Sequence, residues 1–427
     1  MKFHLKIIHW ILLLWLITIL FRFELIIDYL SLIVGYAGVL LSDWKAGLKI
    51  VNLSLLDVML STLLFLMLVP LVLLAKKRFT FINSGLNFSF SFLVLLLFAF
   101  IFAPIISNEN PNFSKNLAVT KLLPPFSSKK IIELKTDQHT TTGDVEKFRL
   151  KMDEVIKPSF NNNIIFADSV LLSQKTIYYQ KGEVKEISAE DLVSVKGKTL
   201  IKEKFFLLGT DEFGRDLFVR LLYGIRVSLT VGFGAVVISL MIGIILGFVA
   251  GYRGGFIDVI LNRFTETFLA FPVIYLVVLI LALFGGSIFS IIIVLGFSGW
   301  MSLFKIVKSE VVSIKQKDYI STAEMIGLNK VQLLSKEILP VIITPVLVNM
   351  IFLFSNVVLA EAALSYLGMG AGNSYPSWGS MISSGQEYIT MAWWLIAFPG
   401  FGLIFTIFSV NSSGRMIGRI FNLGRFR

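Results

Sequence analysis

The chain has 427 residues, 56% of them hydrophobic, and carries a net charge of +11. So apolar a composition excludes an ordinary soluble domain and predicts several membrane spans, while the positive charge fits basic cytoplasmic loops better than a nucleic-acid partner. Because the chain has no cysteine and only three scattered histidines, disulfides and Cys-based metal sites are excluded, and histidine-based catalysis is not expected.

Residues 1–87 are expected to form an N-terminal membrane extension. Residues 53–75 are long enough to cross a bilayer, whereas residues 7–21 and 25–41 are each short for a span of ~20 residues. The basic cluster Lys76-Lys77-Arg78 indicates a cytoplasmic end. If the N-terminus is also cytoplasmic, an even number of spans must precede this cluster. We therefore expect residues 7–21 to cross as a retained anchor and residues 25–41 to lie at the outer interface.

Residues 88–126 are expected to hold the first core span and the start of an external region. The span itself, Phe88–Ile106, runs outward from the basic cluster. Residues 127–204 then change to a polar, Asn/Lys-rich composition, which predicts an external insertion with a small fold of its own. Three of its stretches are typical of strands: residues 131–135, 163–167 and 176–187, the last interrupted by a turn at Lys181-Gly182.

Residues 205–427 are expected to form the main membrane-embedded region. Five spans of alternating direction are predicted here: residues 227–250, 257–284, 287–304, 341–364 and 391–410. Phe271-Pro272 would allow a kink in the second of them. Residues 365–390 form a predicted external loop. The basic tail, which indicates a cytoplasmic C-terminus, carries Arg415, Arg419, Arg425 and Arg427.

The string LGTDEFGRD occupies residues 208–216, just before the first of these five spans. Four apolar residues around its end share one helical face: Phe213, Leu217, Leu221 and Ile225. Arg215 and Arg220 lie among the polar residues opposite. This arrangement predicts an interfacial helix that leads into the membrane.

Gly243, Gly247 and Gly251 repeat at every fourth position of one span. A stripe without side chains lets a neighbouring helix approach closely. That neighbour could belong to the same chain or to a second subunit, and the sequence leaves both possibilities open.

A polar, lysine-rich segment at residues 318–340 separates two long apolar stretches. Ile320, Ala323 and Ile326 recur at a spacing of three, which predicts a short helix with one apolar stripe. Gly327 offers the left-handed residue that closes such a helix. A second helix is predicted to follow, because Asn329 can cap it and Gln332 stands in the capping-box position. It presents Val331, Leu334 and Ile338 and is expected to stop at Pro340.

A set of short motifs runs along residues 88–427 in a specific order: FAP, LGTDEFGRD, GYRGG, AFP, a Gly-to-Leu-Pro frame, AEAALSYLG, PSWG and FPG. As a set, the motifs resemble those of the C-type permease of dipeptide and oligopeptide ABC importers. The polar segment resembles the EAA loop of that family through Ser321-Thr322-Ala323, Gly327 and Leu339-Pro340. Ser321 stands where the family has Glu, and Thr322 where it has the first Ala. The literal Glu361-Ala362-Ala363 is not this motif, since no Gly and Leu-Pro follow it at the right distance.

The resemblance implies a fold class: an all-α polytopic membrane protein with the transmembrane domain of a type I ABC importer. The extra N-terminal helices and a small external α/β or β insertion would be additions to it. Within residues 305–340, the resemblance implies that a coupling helix contacts an ATPase through Tyr319, Ile320, Ala323, Glu324, Gly327, Leu339 and Pro340.

Glu361 is an ionisable residue near the outer end of its predicted span, and such residues tend to face a cavity or a bundle interior. The family resemblance of LAEAALSYLGMG implies a position beside the transport path, with Ser365 and Tyr366 as further candidates. A carboxylate so near the outer surface can reach water, so an accessible, charged Glu361 is expected. A satisfied packing contact is the open alternative.

The resemblance implies the following function and partners. The chain would be a permease subunit for di- or oligopeptides, paired with a second permease as a heterodimer in a bacterial inner membrane. Two ABC ATPase subunits would bind ATP and Mg²⁺, and an extracellular or periplasmic solute-binding protein would deliver the solute. The chain itself is expected to carry no catalytic residue, cofactor or metal.

Other functions stay open in the sequence. A permease of the same family could carry nickel, glutathione or another small solute. A membrane sensor with an external ligand-binding subdomain would need a cytoplasmic effector domain, and no cytoplasmic stretch is long enough for one. An ion-coupled carrier would need paired intramembrane carboxylates or an inverted repeat, and neither is evident.

Overall fold

The computed structural model describes residues 6–78, 87–134, 143–156, 164–172, 176–188, 192, 194–195, 198–199, 201–270, 272–372 and 375–424. The chain divides into two compact units, one of Met1–Ile225 with Ser384–Pro399 and one of Arg226–Ser383 with Gly400–Arg427. The predicted boundaries at residues 87, 126 and 204 stay predictions.

Long apolar helices dominate the described part of the chain. Seven helical stretches there are long and apolar enough to cross a membrane: Ile7–Ser42, Leu53–Leu74, Phe88–Ile106, Leu217–Arg253, Ile288–Lys315, Lys330–Tyr366 and Trp394–Met416. They agree with all but one of the spans predicted from Phe88 onward. The exception, residues 257–284, forms two shorter helices.

The first unit begins with three helices: α1 (Ile7–Ser42), α2 (Trp44–Ile50) and α3 (Leu53–Arg78). The predicted division between residues 7–21 and 25–41 coincides with a kink in α1. Arg22 has non-helical backbone angles, φ −127° and ψ 23°, and separates two helical parts. The placement of the second part at the outer interface stays a prediction.

The next helices are α4 (Phe88–Ile106), the short α5 (Leu117–Thr120) and α6 (Asp144–Val155). The C-terminal half of α1 packs against α4 and α6. Tyr29 is buried, and its hydroxyl donates to the carbonyl of Pro104 at 2.9 Å. On α6, the Phe148 ring lies 6.0 Å from the ring of Tyr36. The sequence analysis missed α6, although its buried residues Phe148 and Met152 are four apart, as a helix on an apolar surface requires.

The predicted strands are present. The strand β1 (Ser127–Glu133) lies between β2 (Ile164–Ala167) and β8 (Ile201–Phe206), and both pairings are antiparallel. A second antiparallel sheet is formed by β3 (Ser169–Leu172), β4 (Thr176–Gln180) and β5 (Glu183–Ile187). A short antiparallel pair is formed by β6 (Ser194–Val195) and β7 (Lys198–Thr199). The predicted strand ends at residues 135 and 163 lie outside the described residues.

The turn between β4 and β5 is the predicted one. Lys181 and Gly182 both have positive φ angles, 53° and 88°. Two successive left-handed residues are the geometry of the two-residue hairpin turn whose twist matches antiparallel strands.

The helix α7 (Leu217–Arg253) is continuous over 37 residues. The predicted helix that leads into the membrane is the start of α7, whose first turns hold Leu217, Leu221 and Ile225. Phe213, the fourth residue of the predicted face, precedes the helix. Arg220, expected on a polar face, is only 5% exposed.

The helices that follow are α8 (Gly255–Ala270), α9 (Val273–Phe284), α10 (Ile288–Lys315) and α11 (Asp318–Met325). The predicted kink at Phe271-Pro272 is a full break between α8 and α9, with Pro272 in the N-cap position of α9. Phe271 lies outside the described residues. Pro272 lacks the N–H that a continuous helix would need there, which accounts for the break.

The chain closes with α12 (Lys330–Gln332), a π-helical turn (Leu333–Ile338), α13 (Leu339–Tyr366), α14 (Trp378–Gly385), a 3₁₀ turn (Gln386–Tyr388) and α15 (Trp394–Gly424). Part of the tail, with Arg425 and Arg427, lies outside the described residues. The external loop predicted at 365–390 thus holds a helix, α14.

Candidate functional site

The polar segment at residues 318–340, called the polar loop here, is attached to its own unit by buried side chains. Ile320 is 1% exposed and Ala323 is 9% exposed. Ile326, the third residue of the predicted stripe, is 75% exposed, so it does not share the buried side of Ile320 and Ala323. The helix α11 ends at Met325, and Ile326 therefore leaves the helical register in which the stripe was predicted.

The predicted helix closure and cap are both formed. Gly327 has a φ of +92°, and the N–H of Leu328 donates to the carbonyl of Ala323 at 3.2 Å. Two residues later the capping box is complete. The N–H of Gln332 donates to Asn329 Oδ1 at 2.8 Å, and the N–H of Asn329 donates to Gln332 Oε1 at 3.1 Å.

The second helix does not stop at Pro340, and that prediction is wrong. The chain passes from α12 through the π-helical turn directly into α13, with Leu339 and Pro340 in its first turn. The N–H of Leu339 donates to the carbonyl of Leu334, five residues earlier. Proline has no N–H and crowds the preceding turn, but a helix tolerates it in its first turn, and the wider π-helical turn leads into that position.

Several apolar side chains of the polar loop point away from the chain. Met325 is 86% exposed, Ile326 75%, Val331 74% and Tyr319 45%. The Glu324 side chain lies outside the described residues, Leu339 is partly buried and Pro340 is exposed. Apolar side chains clustered on a polar segment mark an interaction surface. The loop therefore has a buried side that fixes it and an outward side that is open for a partner.

Tyr252, near the end of α7, holds the segments on both sides of α11, and the sequence analysis missed it. Lys315, at the end of α10, donates from Nζ to the Tyr252 carbonyl at 2.7 Å and lies 5.2 Å above the ring centroid. Lys330, which follows α11, lies 5.8 Å from the same centroid. Cation–π attraction thus draws two lysines to one ring. The only sequence signal was an aromatic residue in the GYRGG motif.

The glycine stripe of α7 faces α10 of the same chain. A Cβ on Gly243 would lie 2.6 Å from Leu303 Cβ, and one on Gly247 would lie 2.8 Å from Val307 Cβ. At Gly251 the near atom is the carbonyl oxygen of Lys308, at 2.9 Å. The stripe therefore lets α7 and α10 pack at backbone distance.

Glu361 on α13 is 0% exposed and is surrounded by hydroxyl donors. Ser228 donates to Oε2 at 2.8 Å, Ser365 donates to Oε1 at 2.7 Å, and Ser377 adds a third side-chain hydrogen bond. The expectation of an accessible carboxylate is wrong, because α7 and the segment before α14 enclose it. Hydrogen bonds are the condition under which a buried polar group is tolerated.

The other two pathway candidates lie close by. Ser365 is 3% exposed and contacts Glu361, while Tyr366 is partly buried and its carbonyl accepts a hydrogen bond from Ser383 at 2.8 Å. Through these contacts, Glu361 connects α13 to α7 and to the segment before α14 within its own unit. A role of the three residues beside the transport path stays a prediction.

The LGTDEFGRD string forms a dense ionic cluster in the first unit, called the Asp211 cluster here. Asp211 is 3% exposed, and its Oδ2 lies 2.6 Å from Arg215 Nε and 3.4 Å from Arg220 Nε. Its Oδ1 accepts the backbone N–H groups of Phe213 and Arg215, each at 2.9 Å. Burial raises the pKa of Glu212, and the neighbouring Asp211 carboxylate raises it further.

Asp216 ends the string and precedes α7. Its Oδ1 accepts the N–H of Phe218 at 2.9 Å, a helix N-cap contact. Burial raises the pKa of Asp216 to about 6, Lys204 opposes this shift, and the Glu109 carboxylate adds to it. Across the described residues, no group of three or more His, Asp or Glu side chains could hold a metal ion.

Comparison with known proteins gives consistent results. The profile of a family described as binding-protein-dependent transport system inner membrane component matches residues 243–423. The dipeptide transport system permease protein DppC of Alkalihalophilus pseudofirmus is 37% identical over 206 residues, 48% of this chain and 68% of that protein. The oligopeptide transport system permease protein OppC of Haemophilus influenzae is 37% identical over 212 residues, 50% of this chain and 68% of that protein.

Among solved structures, the MetNI methionine ABC transporter in an inward-facing conformation is similar to this chain. The alignment has 16% sequence identity and a TM-score of 0.40, and it covers 48% of this chain and 97% of that one.

Proposed function

The chain belongs to the family of binding-protein-dependent transport system inner membrane components, and we propose that it forms, with a second permease, the path of an ATP-driven importer for short peptides. Family membership and the long apolar helices confirm the predicted class, a multi-pass, helical transport permease. The names of the relatives, which are dipeptide and oligopeptide permeases, favour peptides over nickel or glutathione as the solute.

The observation that carries the mechanism is the two-sided polar loop. Its inner side chains, Ile320 and Ala323, are buried in their own unit, while Met325, Ile326 and Val331 point outward. An ATPase subunit that covers this outward surface would gain about 25 cal/mol for each Å² of apolar surface that it removes from water. ATP and Mg²⁺ would be held by such ATPases, and this chain contributes the receiving surface.

Transmission follows from the helical continuity beyond the loop. Residues from Lys330 to Tyr366 form one uninterrupted helical stretch that carries Glu361 near its far end. A push on the loop would therefore move α13 as a rigid element, and small shifts of packed helices are how such switches work. Tyr252 would keep the loop in register with α7 through Lys315 and Lys330.

The test is a pair of charge substitutions on the same loop. Ile326→Asp places a carboxylate on the outward surface, and Ser335→Asp places one on an exposed position of the π-helical turn. We expect Ile326→Asp to abolish solute-stimulated ATP hydrolysis and co-purification of the ATPases, with normal amounts of permease in the membrane. Ser335→Asp should retain both. Full stimulation in the Ile326 variant would contradict the docking surface.

We further propose that residues 127–204 lie outside a bacterial inner membrane, where they could meet a solute-binding protein, and that the C-terminus is cytoplasmic. The basic residues at the end of α3 and Arg415 near the C-terminus support this orientation. Protease added to spheroplasts should cut within residues 127–204. Cutting that occurs only in inverted vesicles would reverse the orientation.

A further inference from the structure

A cavity of about 560 Å³ opens in the first unit between α1, the end of α4, β8 and the start of α7. Its wall combines apolar side chains, among them Ile17 and Phe218, with three charged ones: Arg22, Glu109 and Asp216. The transport mechanism proposed above uses none of these residues. The volume lies in the range of small-molecule sites, about 300–1,000 Å³.

The cavity lies at the level where the chain passes from apolar to polar surroundings. The apolar helix α4 ends at Ile106, and the apolar helix α7 begins at Leu217. Both ends contribute neighbours to the cavity wall, with Ser107 and Glu109 on one side and Asp216 and Phe218 on the other. A ligand there would have its apolar part beside the spans and its polar part beside the charged residues.

Arg22 is the first indication of the ligand. It stands within the apolar helix α1, at the one position with non-helical backbone angles. No hydrogen bond or ion pair joins its guanidinium to any residue that the structure describes, although the side chain lines the cavity. An arginine within a membrane span is costly unless it has a partner, and its guanidinium fits the oxygens of a phosphate.

The opposite wall carries more negative than positive charge. Lys204 forms an ion pair with Glu109 and lies 3.9 Å from an oxygen of Asp216, so two carboxylates share one ammonium group. The Glu109 side chain is 40% exposed and remains open to a further donor. Together with Arg22, the cavity offers one site for an anion and one for a cation.

We propose that this cavity binds the headgroup of a phospholipid that carries a primary amine, with the phosphate on Arg22 and the ammonium on Glu109 and Asp216. The acyl chains lie along Ile17 and Phe218 toward the membrane. A purely anionic headgroup would leave the second carboxylate without a cation. A quaternary amine carries no N–H and cannot donate a hydrogen bond to these carboxylates. The bound lipid would join the N-terminal helix α1 to α4 and α7.

The experiment measures which lipids stay with the protein. The full-length chain, extracted with its partners, is reconstituted in bilayers of equal parts phosphatidylethanolamine, phosphatidylglycerol and phosphatidylcholine, then delipidated and analysed by native mass spectrometry. We expect one retained phosphatidylethanolamine, enriched about tenfold over the other two, the effect of one charge-assisted hydrogen bond. Retention in the bulk ratio, or enrichment of phosphatidylglycerol, would overturn the proposal.

Variants separate the two halves of the headgroup. Arg22→Gln should lower the retention of all three lipids by about tenfold, because it removes the phosphate contact. Glu109→Gln should keep lipid but lose the preference for phosphatidylethanolamine over phosphatidylglycerol. Lys45→Gln, which removes an exposed cation of α2 outside the cavity, is the matched control and should change nothing. Equal losses in the Arg22 and Lys45 variants would contradict the site.

Two further measurements keep the result interpretable. Each variant is included only if it elutes as a single species together with its partners, and Arg22→Met replaces Arg22→Gln if the latter does not. Soluble glycerophosphoethanolamine should not displace the lipid, since it lacks acyl chains. Displacement by it at millimolar concentration would assign the site to a soluble phosphate ester and overturn the lipid. None of these measurements depends on transport or ATP hydrolysis.

Discussion

Residues 208–216 and the polar loop are both short polar strings next to long apolar helices, yet the structure uses them in opposite ways. In the first, Asp211 is 3% exposed, and its carboxylate is bound by two arginines and two backbone N–H groups. In the second, Met325 and Ile326 extend into open space. The comparison shows that polarity does not tell a surface from an interior. What decides is whether the chain itself supplies partners for the groups that a segment presents.

The largest expected effect comes from opening the Asp211 cluster. Asp211→Ala removes the acceptor that the partly buried Arg215, the buried Arg220 and two backbone N–H groups share. Breaking a buried pair in this way costs about 3–5 kcal/mol. We expect a marked fall in the melting temperature and in membrane abundance. Glu266→Ala is the control, since its pair with Arg263 has side chains that are 53% and 80% exposed. Equal destabilisation by both would contradict the closed character of the cluster.

Two glycines with left-handed backbone sharpen the same contrast. Gly214 has a φ of +68°, and a Cβ there would overlap Thr120 Oγ1, whereas Gly327 has a φ of +92° with nothing within 4 Å. Gly327→Ala should lower the free energy of unfolding by about 1–2 kcal/mol, the cost of a Cβ on left-handed backbone. Gly214→Ala should lower the free energy of unfolding by about 1–3 kcal/mol more, because its new Cβ also clashes with Thr120. Equal shifts in the melting temperature of the two variants would contradict this difference in packing.

A pH dependence is expected beside the Asp211 cluster. Burial raises the pKa of Asp216 from 3.8 to about 6, so between these values the folded chain binds more protons than the unfolded chain. The contribution of this group to the free energy of unfolding therefore decreases as the pH rises from about 4 to 6, by up to about 3 kcal/mol. Asp216→Asn keeps the N-cap but does not titrate. The variant should become more stable relative to wild type as the pH rises over this interval. A constant difference between the melting temperatures of variant and wild type from pH 4 to 7 would contradict the raised pKa of Asp216.

The smallest expected effect concerns Tyr252 and the attachment of the polar loop. Tyr252→Leu removes the ring that two lysines approach, at about 0.5–1 kcal/mol for each cation–π contact. Tyr252→Phe keeps the ring and is the control. We expect faster proteolysis after Lys317 or Lys330 in the Leu variant alone, at a nearly unchanged melting temperature. Identical cleavage rates in the two variants would show that the ring does not hold the loop.

The sequence predicted well those features whose bonds join near neighbours in the chain. The turn at Lys181-Gly182, the closure at Gly327 and the capping box from Asn329 to Gln332 all formed as predicted. Each of these features depends on residues at most a few positions apart, so it can be predicted without knowledge of the rest of the fold. The division of α1 between its two apolar stretches likewise coincides with the kink at Arg22.

The sequence by itself determined the membrane class, most of the spans and the family, because apolar length and motif order are properties of the chain alone. Only the tertiary structure decided that Glu361 is enclosed by serines, that the glycine stripe meets α10, and that Arg22 lines a cavity. Ser228 and Glu361 are 133 positions apart. A helix shows which face a residue occupies, but which distant segment covers that face depends on packing, and packing decides whether a charge is satisfied or left for a ligand.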